Sequence, residues 1–209
     1  MNPQHKQILL QYFPQETIEQ VSSMLKKHAV QLKITRERVS KLGDYRPPVQ
    51  NLNHRITVNG NLGKHLLYLV FLHEMAHLII WNRYGKRVNP HGLQWKQEFG
   101  SMLKHSIYLG YIPENLKIPL AAFADNVKAT FAADPVLWKN LKSLDERLAS
   151  EITIEDIPAD TYFMAANGRF FKKEEKLRKR YRCFCLTNKR RYLFHPMAVI
   201  KPVNEEDII

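Results

Sequence analysis

Residues 71–81 read FLHEMAHLIIW: two histidines and a glutamate set in a run that is otherwise apolar. Burying ionisable groups is costly unless they are paired, hydrogen-bonded or bound to a metal. On an α-helix His73 and His77, four residues apart, stack on one face with Cβ atoms about 5–6 Å apart. Two imidazoles so placed can hold one ion. Glu74 is rotated about 100° from His73, too far round to share the ion easily but near enough to reach a water beside it. H-E-x-x-H on a helix is therefore a zinc site with a built-in base. The same spacing also fits core histidines with backbone partners beside a salt-bridged glutamate. A third ligand decides, because catalytic zinc usually takes three protein ligands and leaves one place for water.

Around this stretch the pattern is that of a core helix. Leu66, Leu67, Leu69, Val70, Phe71, Leu72, Met75, Leu78, Ile79, Ile80 and Trp81 leave almost no polar face, and a helix apolar all round is buried all round. Asn61 is the expected N-cap and Gly85 the expected stop, after Tyr84. The apolar run over residues 66–81 spans only 16 positions and is broken by His73, Glu74 and His77. A spanning helix needs about 20 residues with few charges, so a cytoplasmic protein with no membrane partner is expected. The N-terminal MNPQHKQILLQYFPQ lacks a basic start and a long apolar core, and no export signal is read in it. Cys183 and Cys185 are the two cysteines, too few for a disulfide framework, which fits a reducing compartment.

His91 offers the third ligand. It stands 14 residues after His77 within NPHGLQWKQEF, flanked by Pro90 and Gly92. The polar KRVN that follows Gly85 lets the chain turn back onto the helix. The spacing H-E-x-x-H-x-x-G-x-x-H is absent, since Ile80 and Arg83 stand where its glycine and last histidine would fall. Glu98, on a second helix expected over residues 94–105, is the competing third ligand.

HEMAH followed by HGLQW resembles the SprT family of zinc metalloproteases, and RVSKLGDYR and ITVNGNL resemble the family's segments ahead of its active-site helix. The resemblance covers roughly residues 15–110 and implies an α+β fold of zincin type, a small antiparallel sheet plus the active-site helix; with a helical extension, this domain is expected over residues 1–150. The resemblance also implies peptide hydrolysis of a protein substrate, one Zn²⁺ per chain held by His73, His77 and His91, and Glu74 as catalytic acid and base. The family's eukaryotic Spartan relatives degrade proteins crosslinked to DNA, so nucleic acid, DNA in preference to RNA, is the implied partner. Trp95 is assigned to packing. Tyr84 and Tyr108 are conceivable oxyanion donors, with a structural role the favoured reading of each. Two other readings stand beside this one: a nucleic-acid-binding adaptor with a structural or vestigial zinc site, and a zinc hydrolase acting on a non-peptide bond. The glutamate argues against the adaptor, because a structural site has no use for it.

Elsewhere the periodicities place simple elements. Ile18, Val21, Met24, Leu25 and His28 recur at helical spacing over residues 17–28. VQLKIT alternates as a half-buried strand. After turn punctuation at Gly43 and Pro47–Pro48, HRITVNG gives a second strand, from which a small antiparallel sheet is expected. DPVLWKNLKSLDERL is a further helix, with Asp134 as cap and Pro135 in its first turn. From residue 151 onward aromatic and β-branched residues, with turns at Asn167–Gly168 and Thr187–Asn188, predict a compact β module over residues 151–209.

The formal net charge is +12, a surplus that attracts polyanions. Residues 169–191 hold eleven Lys/Arg against two Glu. Lys172, Lys173, Lys176, Arg178, Lys179, Arg180, Arg182, Arg190 and Arg191 are the candidate nucleic-acid contacts. The interleaved Phe170, Phe171, Tyr181, Phe184 and Tyr192 either stack on unpaired bases or face inward as core. The family often ends in a zinc ribbon, and YRCFC and YLFHPM resemble remnants of its knuckles, with Phe194 and Met197 where a second cysteine pair would fall. Cys183, Cys185 and His195 make three ligands where structural zinc takes four. Apolar packing is expected to have replaced that metal.

Overall fold

The computed structural model describes residues 3–38, 41–49 and 52–208; Val39 and Ser40 of RVSKLGDYR lie outside the described residues. The architecture is mixed α+β, and the chain divides into two units, residues 1–145 and 146–209.

The first unit opens with α1 (Pro3–Tyr12) and α2 (Ile18–Lys27), and Ile18 and Val21 are buried as their spacing predicts. Then β1 (Val30–Thr35), β2 (Gly43–Arg46) and β3 (His54–Asn59) form a three-stranded sheet in the order β1-β3-β2. β2 runs antiparallel to β3, with Tyr45 opposite Ile56, whereas β1 runs parallel to it, with Leu32 beside Ile56. The expected antiparallel sheet is thus a mixed one, and β2 is the reason. GDYR looks like turn punctuation, yet it is a strand. With it in place the chain reverses twice between β1 and β3, and two reversals leave those strands pointing the same way. Buried Asn59 ties down the connection from β1 to β2: its amide donates to the Arg38 and Lys41 carbonyls at 3.1 Å each, and it accepts from Arg38 Nε at 2.7 Å.

α3 (Lys64–Tyr84) packs on β2 and β3, whose Ile56 and Val58 are fully buried. Its N-cap is Gly63, not Asn61. The side chain of Asp145 accepts the Gly63 N–H at 2.6 Å, and Asn61 Oδ1 is buried without a hydrogen bond. At the other end Gly85 has φ 60°, a left-handed conformation that a Cβ disfavours, and it stops the helix as expected. α4 (Leu93–Tyr108), α5 (Glu114–Asp125) and α6 (Pro135–Ser143) complete the unit. α5 carries Pro119 in its interior, which argues against a helix on sequence grounds. Asp134 caps α6 by accepting from Leu137 N at 3.2 Å. α6 ends at Ser143 rather than running to Leu148, because Asp145 is diverted to the start of α3. Among the described residues no helix is long and apolar enough to cross a membrane.

The second unit holds α7 (Glu146–Ala149) and an antiparallel six-stranded sheet. Its strands are β4 (Ile152–Thr153), β5 (Tyr162–Ala165), β6 (Phe170–Lys176), β7 (Tyr181–Cys185), β8 (Arg191–Phe194) and β9 (Val199–Pro202), in the order β4-β9-β5-β6-β7-β8. Strand alternation sends Tyr181, Cys183 and Cys185 into a core with Ile154, Phe163, Phe171 and Ile200. Burial pushes the Cys183 thiol up to about 11, so it stays protonated and behaves as an apolar group. His195 is exposed and its Nδ1 accepts the Met197 N–H at 3.2 Å. Among the described residues these three side chains do not gather into a ligand cluster.

Candidate metal centre

α3 displays His73 and His77 on successive turns. After Gly85 a tight helical turn over Gly85–Arg87 redirects the chain, and the Gly92 N–H bonded to the Asn89 carbonyl at 3.0 Å closes the bend that returns His91 to the helix. The three Nε2 atoms form a nearly equilateral triangle: His73 to His77 3.2 Å, His77 to His91 3.1 Å, His73 to His91 3.3 Å. Neutral rings cannot satisfy three converging lone pairs with one another. One ion with Zn–N bonds of about 2.0–2.1 Å and tetrahedral angles sets its nitrogens about 3.3–3.4 Å apart, so the donor set fits zinc and leaves a fourth direction open. The rings are also in the right protonation state. Burial, with repulsion from the neighbouring imidazoles, holds His73 down to about 3, and burial with His91 holds His77 down to about 4. His91 is lowered too, by burial and then by Lys96. Near neutral pH all three rings are neutral, the form in which an imidazole can bind a metal.

Glu74 is 6% exposed and sits against β2. A Cβ on Gly43 would stand 2.5 Å from Glu74 Oε1 and 2.8 Å from Val70 Cγ1. Glycine is therefore required for the strand to come this close. Burial pushes the Glu74 carboxyl up to about 8, and Asp44 pushes the same way; the Tyr45 backbone amide, Arg38 and Lys41 pull it back. A cation at the triad acts in the direction of Arg38 and Lys41, toward the carboxylate. The triad and Glu74 open on a cleft of about 710 Å³, whose walls include Tyr45, Trp81 and Phe131.

A family model described as SprT-like matches residues 2–110, which hold the sheet, α1 to α4 and the whole triad with Glu74. The chain belongs to the SprT-like family. No curated protein and no solved structure matches it. In this SprT-like chain Glu98, the competing ligand, is engaged with Arg83 Nη1 at 2.5 Å, and among the described residues the ligand-type groups that gather are the three histidines. Neither Tyr84 nor Tyr108 lines the cleft, and Tyr108 is 86% exposed. Tyr45 does line it. Sequence reasoning missed Tyr45 because its place depends on β2 being a strand.

The basic residues of the second unit separate into classes. Lys173 is a core residue, 4% exposed, with Nζ donating to the Ile157 carbonyl at 2.5 Å and lying 4.0 Å from the Tyr181 ring centre. This corrects its assignment as a polyanion contact: alternation along β6 turns it inward beside Phe171. Lys172 pairs with Asp160, Lys176 with Glu155, Arg182 with Glu174 and Glu175, and Arg191 with Glu174. Arg178, Lys179 and Arg180 lie exposed at the β6–β7 turn, and Arg190 at the β7–β8 turn; among the described residues none of them makes an ion pair. Those turns are at opposite ends of β7, so the cations form two groups instead of one patch. Phe171 and Tyr181 are core, Tyr192 packs against it, and Phe170 and Phe184 are half-buried.

Proposed function

We propose that this SprT-like chain is a zinc metallopeptidase with a zincin-like catalytic unit, acting on proteins associated with nucleic acid. The reading rests on one observation: three imidazole nitrogens within 3.1–3.3 Å of one another, beside a buried carboxylate in a single cleft. His73, His77 and His91 would hold one zinc ion. When bound, zinc supplies Lewis acidity, polarising the scissile carbonyl and making water acidic enough to attack near neutral pH. Glu74 takes the proton from the attacking water onto a carboxylate oxygen and later delivers it to the leaving amine nitrogen. Gly43 keeps that carboxylate in place from one side. β2 lines the cleft and, among the described residues, pairs with β3 alone. Its second edge can take an extended peptide by backbone hydrogen bonding.

The test is Glu74→Gln. It should bind zinc like the wild type and cleave an unfolded protein substrate about 10²–10⁴-fold more slowly. Equal cleavage by the two proteins refutes the peptidase assignment.

For the nucleic-acid partner, the support is the solvent face of the second sheet and its turns. Arg191 lies 5.7 Å from the Phe184 ring centre and Lys172 5.6 Å from that of Tyr162, so aromatic faces and cations alternate there. Such a surface suits stacked bases and their phosphates. Affinity for a single-stranded oligonucleotide should fall steeply with salt; a flat salt series removes nucleic acid from the proposal.

A further inference from the structure

We infer that Trp95 sets the geometry of the metal centre by packing, in the place that hydrogen bonds usually fill. The inference rests on the zinc reading above. A ligating histidine ordinarily donates its second ring nitrogen to a carboxylate, a carbonyl or a water, and that bond fixes the plane of the ring. Among the described residues, no protein group bonds Nδ1 of His73, His77 or His91; the polar contacts of these rings are the Nε2 contacts among themselves. Among protein groups, contacts with neighbouring side chains are then what is left to keep the three rings facing one another.

Trp95 touches all three. It is fully buried, with its ring centre 4.7 Å from that of His73, 5.1 Å from His77 and 4.6 Å from His91. The indole stacks on His77 with an interplanar angle of 26° and meets His73 and His91 steeply, at 63° and 85°. Its own Nε1 is buried and makes no hydrogen bond, so what it contributes is shape. Phe99, one turn further along α4, backs the indole at 5.0 Å and reaches only His73 of the three, at 5.3 Å. One short stretch of chain carries both His91 and Trp95, since His91 stands two residues ahead of α4 and Trp95 lies in its first turn. Trp95 is thus a positioning residue: it acts on the ion through the imidazoles.

The experiment measures Zn²⁺ affinity by competition with a chelator, on the full chain, for wild type, Trp95→Phe, Trp95→Leu and Phe99→Leu, with metal-free melting temperatures alongside. Trp95→Leu should weaken zinc about 10–100-fold, Trp95→Phe should recover part of the loss, and Phe99→Leu should lower the melting temperature while hardly changing affinity. The visible spectrum of the Co²⁺-loaded protein should change shape in Trp95→Leu and keep it in Phe99→Leu. Wild-type affinity in Trp95→Leu overturns the inference, and so does an equal loss in Phe99→Leu, which would mean that any damage to the core loosens the site. Should Trp95→Leu fail to fold, Trp95→Phe decides: wild-type affinity with an unchanged Co²⁺ spectrum overturns the inference. A wild-type chain that takes up no zinc brings down the metal centre itself, an outcome distinct from one in which all variants bind alike.

Discussion

Gly43 owes its identity to a carboxylate on another element. With a Cβ due 2.5 Å from Glu74 Oε1, Gly43→Ala forces either the carboxylate or β2 to move. Displacing a catalytic group by about 1 Å can cost on the order of 100-fold in rate, so kcat should drop by about that factor while zinc content stays the same; an unchanged kcat would show that the strand does not hold the base. Titration gives a second expectation, for the metal-free protein. His73 and His77 sit near 3 and 4, below the ordinary 6.5. The unfolded chain therefore binds protons below pH 6.5 that the fold refuses, and stability falls as pH drops from 6.5 toward 3. Glu74 works the other way. Raised from 4.5 to about 8, it removes stability as pH climbs through that interval. Glu74→Gln should then melt higher than wild type at pH 8, with the advantage vanishing toward pH 4.5; thermal melts in which the difference ignores pH would contradict this. At this scale the pairing of His73 and His77 on one helix face was legible from spacing, because four residues on a helix is a local distance; the approach of His91 was expected from its loop with Glu98 still competing, and the fold decides which of the two gathers with the pair. Gly43 and Tyr45 were not legible, since their neighbours are some 30 positions away in the chain.

α3 shows what its own sequence can and cannot declare. Its apolar girth and its glycine stop are local properties and were readable. Its cap was not, because a residue 82 positions away supplies it. An N-terminal cap replaced by alanine costs about 1 kcal/mol, which in a chain of this size lowers the melting temperature by about 2–4 °C. Asp145→Ala should show that loss and Asn61→Ala should not; the reverse order would return the cap to Asn61. The same logic explains the sheet. β1 and β3 announce themselves by alternation, but β2 is four residues beginning with glycine, and no periodicity separates so short a strand from a turn. Missing it cost the parallel pairing of β1 with β3, which only the second reversal produces. The strands of the second unit were readable as a class because alternating aromatic and polar residues mark them repeatedly.

Charge has to be judged over the whole molecule. The run in residues 169–191 looks like the origin of the +12, yet residues 1–145 hold 19 Lys/Arg against 10 Asp/Glu and residues 146–209 hold 13 against 10. Four of the run's eleven cations are paired to acidic side chains, and Lys173 is withdrawn into the core. The cations of the run that lack an acidic partner and stay exposed sit at its turns. Replacing Arg178, Lys179 and Arg180 together by serine should lower the slope of log affinity against log salt for a single-stranded oligonucleotide by about 2, at roughly 0.7 per lost phosphate contact. Lys173→Met should leave that slope alone and show itself in the melting temperature, since its ammonium bonds a buried carbonyl. A triple variant with the wild-type slope would move the contact to the surplus of the first unit, whose cleft rim carries Lys41 and Lys86. Nucleic acid and protein substrate would then meet at the catalytic unit, without a separate tether.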